Sequence, residues 1–198
     1  LLAECKKRGM GIVMDLVANH TSDQHPWFQA CLNDPNSPYR DCYYFREGVN
    51  DKEPNNWISM FGGSAWTKDP LKPHSWYLTT FTPHQCDLNW ENPRVREEIA
   101  NVMRFWLDMG CDGFRVDMAS SLVKNDTKHK KYTCAIWRDI AAMLSKEYPE
   151  AALVAEWNGP RMSLKNGFDM DFYLDWQGNG YSWLMRNYDG ATDSNPHN

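Results

Sequence analysis

Three short stretches of this sequence end in groups that can carry charge or move protons. Asp15, Asn19 and His20 close one apolar run, Arg115 and Asp117 alternate within another, and Glu156 terminates a third, Ala151-Ala152-Leu153-Val154-Ala155. Alternate residues of a strand face the same side, so Arg115 and Asp117 share one face while Phe114, Val116 and Met118 share the other. An unpaired buried charge is costly, so these two are either a structural ion pair or working groups, and the residues alone leave both readings open. Two carboxylates flanked by an arginine and a histidine suit the cleavage of a glycosidic bond. One must attack the anomeric carbon as an anion while the other delivers a proton to the leaving oxygen, so their surroundings must separate their proton affinities. Arg115 beside Asp117 favours negative charge there, and apolar neighbours such as Trp157 favour the protonated form of Glu156.

These groups need a frame. Residues 1–8 read as a helix ended by Lys6, Lys7, Arg8 and Gly9, and the apolar run over residues 11–17 predicts a buried strand. From His20 to Gln85 prolines recur at Pro26, Pro35, Pro38, Pro54, Pro70, Pro73 and Pro83 and no periodicity settles, which predicts an irregular insertion over 20–85. Asn92 and Pro93 are an N-cap and a first helical residue; Val95, Ile99, Val102, Met103, Trp106 and Leu107 then recur at helical spacing until Gly110. Residues 114–118 alternate as a strand. Ile136, Ile140, Met143 and Leu144 mark a helix over 132–148, stopped by Pro149, and residues 151–156 and 168–174 predict two further strands. Strands alternating with helices give an α/β fold with a parallel sheet. With the insertion removed, about half of the ~250 residues of a closed (β/α) barrel remain, so the fold is either small and open or half a barrel. In such sheets sites gather at the carboxyl ends of strands, where the charged groups above all fall.

Composition narrows the rest. The 198 residues are 42% hydrophobic with a net charge of −5, enough apolar material for one ordinary core. No basic stripe offers a footprint for nucleic acid, and no apolar run approaches the ~20 residues of a membrane helix. Six cysteines without a C-x-x-C pair suggest neither a zinc ribbon nor a redox site; they read as reduced thiols, and a cytoplasmic location is expected. Ten Trp, nine Tyr and eight Phe supply flat apolar faces for an amphipathic ligand as readily as they fill a core. Lys124, Lys128, Lys130 and Lys131 read as a solvated basic loop, and Met60, Met103, Met109 and Met143 as gap-filling core.

The ordered motifs resemble the α-amylase superfamily of glycoside hydrolases, in its α-glucosidase and oligo-1,6-glucosidase branch. Asp15-Leu16-Val17-Ala18-Asn19-His20 looks like the family's first motif, Gly113-Phe114-Arg115-Val116-Asp117 like its nucleophile strand, and Ala155-Glu156-Trp157 like the strand end holding the acid/base. Gln85-Cys86-Asp87-Leu88-Asn89 resembles an additional motif at the end of the inserted domain, with Cys86 in place of the usual proline. The resemblance implies strands three to six of a TIM barrel, formed by residues 1–19 and 86–198, with residues 20–85 as an inserted small domain. It implies Asp117 as nucleophile and Glu156 as acid/base, with Arg115, His20, Asp15 and Gln85 binding the sugar. Asn19 is similar to a calcium ligand of some relatives, so a structural calcium ion is conceivable on this reading, although no cofactor is required. The expected ligand is a short oligosaccharide, with neither nucleic acid nor a membrane as partner. The family's third carboxylate follows a His in a later motif that residues 177–198 do not resemble, so the expectation is a piece of a longer enzyme. Two alternatives keep the resemblance: a transglucosidase or isomerase using the same glucosyl intermediate, and a non-catalytic relative used for assembly. Met118-Ala119, just after the nucleophile position, matches neither common linkage pattern.

Overall fold

The computed structural model describes residues 1–172. Helix α1 (Leu2–Lys7) leads into strand β1 (Val13–Val17). The short strands β2 (His20–Ser22), β3 (Phe45–Glu47), β4 (Trp66–Lys68), β5 (Ser75–Leu78) and β6 (Gln85–Asp87) follow, with helix α2 (Pro26–Asn33) among them. Helix α3 (Pro93–Asp108), strand β7 (Gly113–Asp117), helix α4 (Lys131–Glu147), strand β8 (Ala152–Ala155), helix α5 (Pro160–Ser163) and strand β9 (Met170–Asp171) complete the described chain.

β1, β7, β8 and β9 form a parallel sheet in that order. Each crossover steps to the next strand in the same direction, as a (β/α) barrel grows, with none of the reversal that marks a doubly wound sheet. One face is covered. Leu16, Phe114, Val116, Leu153 and Ala155 meet Met103 and Leu107 of α3 and Ile136, Trp137, Ile140 and Leu144 of α4 in one continuous core. Ile136, Ile140 and Leu144 fall four residues apart and so line one stripe of α4, each contributing about 1.5–3 kcal/mol by burial. Helix α3 begins as its sequence predicts: the Asn92 side chain accepts the Arg94 N–H, and Pro93 takes the first helical position.

The opposite face is open, which corrects the expectation that residues 11–17 are buried. β1 is an edge strand on which Leu16 is buried while Val13 and Val17 are 46% and 42% exposed. Met103 is core, but Met60 and Met109 lie largely in solvent rather than filling gaps. The strand expected over 168–174 is realised as Met170–Asp171; Tyr173 and Leu174 lie outside the described residues.

The segment expected to be irregular is built from short antiparallel strands. β3, β5 and β4 form one sheet, and β2 pairs with β6, so the chain leaves and returns at one place. Strands of three or four residues are too short to display a two-residue period, which is why only the prolines between them were legible. Phe28, Cys31, Cys42, Tyr43 and Tyr77 join the main core, while Tyr44, Ala65, Trp66, Trp76 and Leu78 form a second cluster at the small sheet. All six cysteines are free. Among the described residues no helix is long and apolar enough to cross a membrane.

Candidate active site

Parallel pairing of β1 with β7 sets Asp15 beside Arg115 and Val17 beside Asp117, and Glu156 follows the last residue of β8. Arg115 gathers all three carboxylates. Its Nη1 donates to Asp15 Oδ1 at 2.7 Å and to Asp117 Oδ1 at 3.0 Å, and its Nη2 donates to Glu156 Oε2 at 2.6 Å. Because one guanidinium fork spans both contacts, the bound oxygens of Asp117 and Glu156 lie within about 8 Å of each other. Asp117 and Glu156 are mostly buried, while the Asp15 side chain is 58% exposed at the sheet edge.

The backbone after β7 turns sharply. Met118 takes a left-handed conformation, φ 44°, and its N–H donates to Glu156 Oε2 at 3.3 Å. Such a conformation costs a non-glycine residue about 1 kcal/mol, and here it brings an amide onto a carboxyl from the neighbouring strand. Burial pushes the Glu156 carboxyl above its usual range, and the Asp117 carboxylate, close enough to hydrogen-bond it, pushes the same way against the Met118 N–H and Arg115. Burial disfavours the charge on Arg115, yet the hydrogen bond to Asp15 and the charges of Glu156, Asp15 and Asp117 prevail and hold its pKa above the ordinary value. Both carboxyls touch Arg115, but burial raises the proton affinity of Glu156, an asymmetry of the kind acid-assisted displacement needs.

His20 and Gln85 stand together beside this cluster. The Nε2 atoms of the two side chains are 2.9 Å apart, and the His20 ring packs against Phe81 at 5.2 Å between centroids. Burial lowers the His20 pKa, opposed by the charges of Asp87 and Asp117. The imidazole is therefore a neutral hydrogen-bonding group near neutral pH.

Asn19 is fully buried, and its neighbours decide what it does. Its Nδ2 donates to Asp87 Oδ1 at 3.0 Å, while its Oδ1 accepts Ser121 Oγ at 2.7 Å and Lys124 Nζ at 2.6 Å. Lys124 Nζ also pairs with Asp87 Oδ1 at 2.6 Å. A calcium ion takes six to eight oxygen ligands. Asn19 Oδ1 and Asp87 Oδ1 are already bound by the Lys124 ammonium and Asp87 Oδ2 accepts the Thr80 N–H, so this donor set does not fit calcium, and Asn19 acts as a linker rather than a metal ligand. Among the described residues no group of three or more His, Cys, Asp and Glu could hold a metal ion.

The sequence pattern of the alpha amylase catalytic domain matches residues 1–172. The chain belongs to this family. An oligo-1,6-glucosidase of Parageobacillus thermoglucosidasius is 53% identical over 124 residues, 63% of this chain and 22% of that protein. The trehalose-6-phosphate hydrolase of Escherichia coli K12 is 48% identical over 125 residues, again 63% of this chain and 22% of the relative. Trehalulose synthase MutB from Pseudomonas mesoacidophila MX-45 superposes with a TM-score of 0.78 at 36% identity, covering 88% of this chain and 35% of that one. A mutant of MutB has also been solved in complex with the substrate sucrose. The chain thus spans about a fifth of the length of the curated relatives it matches. Its sheet is part of an α-amylase-family barrel, which explains an open face carrying the charges and a covered face carrying the helices.

In this alpha-amylase domain the structure brings Asp15, Arg115, Asp117 and Glu156 into one cluster and places His20 and Gln85 next to it. Sequence reading missed Lys124 and Asp87. Lys124 was expected in a solvated loop; its side chain is 8% exposed and tied to Asp87, which disfavoured burial of a lone charge makes obligatory. Lys128 and Lys131 are solvated as expected, and Asp126 caps α4 by accepting the N–H groups of Tyr132 and Thr133. Asp87 lies within the Gln85-Cys86-Asp87-Leu88-Asn89 motif and could have been found there. Nothing in the sequence linked it to Lys124.

Proposed function

We propose that the protein is a retaining glycoside hydrolase that cleaves α-glucosidic bonds of short oligosaccharides. The observation that carries this reading is the Arg115 fork holding two carboxyl groups from adjacent strand ends, one of them with its proton affinity raised by burial. The Asp117 and Glu156 carboxyl groups are close enough to hydrogen-bond each other, which favours the retaining arrangement, with a separation of ~5–5.5 Å, over an inverting one with room for a water between them. Asp117 attacks the anomeric carbon as the bond to the leaving oxygen breaks, and Glu156 gives that oxygen its proton. Glu156, now a base, then takes a proton from water, whose oxygen displaces Asp117 and frees the glucose. Arg115 holds the charge of the attacking carboxylate and aligns both groups. His20 and Gln85 offer uncharged hydrogen bonds to sugar hydroxyls.

The identity to oligo-1,6-glucosidases supports hydrolysis, and the likeness to trehalulose synthase supports a second reading in which a sugar hydroxyl intercepts the same intermediate. Proton NMR of the complete protein acting on maltose and isomaltose separates these outcomes. Retention gives α-glucose before mutarotation, transfer gives new disaccharide signals, and β-glucose appearing first overturns the mechanism.

A further inference from the structure

Asp171, on the edge strand β9, turns its carboxylate toward the chain that leaves β8. Its Oδ1 accepts the N–H groups of Trp157 at 3.0 Å and Asn158 at 3.2 Å, and its Oδ2 accepts the Gly159 N–H and the Ser163 hydroxyl, both at 2.9 Å. Three successive backbone N–H groups closing on one anion make a nest, and hydrogen bonds to an ionised acceptor are the strong ones. The turn has reason to need such a clamp. Asn158 adopts φ 57°, a left-handed conformation that a side-chain-bearing residue avoids, two positions beyond Glu156. Trp157, between them, lies edge-on to Phe168 with ring centroids 6.2 Å apart. These four hydrogen bonds go to residues 157–163 and not to the carboxylate cluster, so whatever Asp171 does for Glu156 it does through the backbone.

We propose that Asp171 is a positioning residue: by clamping the turn at 157–159 it holds Glu156 in its partly desolvated seat against Arg115 and the Met118 N–H. This rests on the acid/base reading of Glu156 given above. A positioned acid matters when the leaving group needs a proton and hardly at all when it does not, which separates this role from a general contribution to folding.

The test compares the complete wild-type protein with Asp171→Asn and Ser163→Ala on two substrates. One is maltose or isomaltose, whichever the wild type cleaves faster, and the other is α-glucosyl fluoride, whose fluoride departs with little help from an acid. Asp171→Asn should lower kcat/KM on the disaccharide about tenfold while leaving the fluoride within about twofold. Its alkaline pH limb should move to lower pH, because a loosened Glu156 gains water. Ser163→Ala removes one donor to the same carboxylate and should show the same selective loss at smaller size, so it decides the matter if Asp171→Asn does not fold. Equal losses on both substrates, or no loss on either, overturn the positioning role. A wild type inactive on both substrates sinks the glycosidase reading first, and the role assigned to Asp171 with it.

Discussion

Arg115 bonds to three carboxylates, yet the three cannot share a role, because their surroundings differ. Asp15 stands at the solvent edge, Asp117 follows Arg115 by two residues on one strand, and Glu156 sits partly desolvated beneath a backbone amide. In the complete protein, Asp117→Asn should cut turnover by about 10⁴-fold or more while circular dichroism and Tm stay near wild type, because the amide keeps the shape and loses the nucleophile. Substantial residual activity would move the nucleophile elsewhere. The raised Glu156 pKa carries its own signature. On the proposed mechanism the group works protonated, so kcat/KM should fall as pH rises through a value above the ordinary glutamate range of ~4.3, and Glu156→Gln should erase that limb along with most activity on disaccharides. A pH profile with an unchanged alkaline limb in Glu156→Gln assigns the proton to another group.

Elements position these residues through contacts that leave little room. Gly113 opens β7 with φ 152°, and a Cβ there would lie 2.0 Å from the Ala152 carbonyl oxygen of β8. Gly113→Ala must therefore push apart the two strands that carry Asp117 and Glu156, at a cost of about 3 kcal/mol, read as a lower midpoint in urea unfolding. A midpoint equal to wild type would mean the strands tolerate the shift. The second joint lies where the strand pair β2 and β6 meets the turn after β7. Lys124→Met would leave Asp87 as an uncompensated buried charge and should cost about 3 kcal/mol. Because an ammonium serves Asn19 and Asp87, a chelator should leave Tm and activity unchanged; a large drop would reveal a metal the cluster does not explain.

At the largest scale, the described residues give the parallel sheet helices on one face and leave the other face uncovered. Val13, Val17, Met170 and Phe172 are each at least 40% exposed, and among the described residues β1 and β9 are the outer strands of the sheet. Edges and apolar surface of this kind invite association. The 198-residue chain produced by itself should aggregate or run as an oligomer in sedimentation; a monomer with a cooperative thermal transition would show that these surfaces are tolerated. The same openness leaves the Arg115 cluster on the side of the described sheet opposite the helices.

Local pattern made much of this legible. Helix α3 follows from Asn92, Pro93 and the spacing of Val95, Ile99 and Met103, β7 from alternation around Arg115 and Asp117, and the candidate residues from their places at strand ends. Such features depend on neighbours a few positions away, which a sequence displays directly. The small strands of the insertion, the burial of Lys124 and the clamp by Asp171 depend instead on partners in other segments: β5 lies between β3 and β4, Lys124 meets Asp87, and Asp171 reaches back to Trp157. Whether a charged side chain is solvated or locked in place is decided by what the folded chain brings against it, and desolvation cannot be read from spacing.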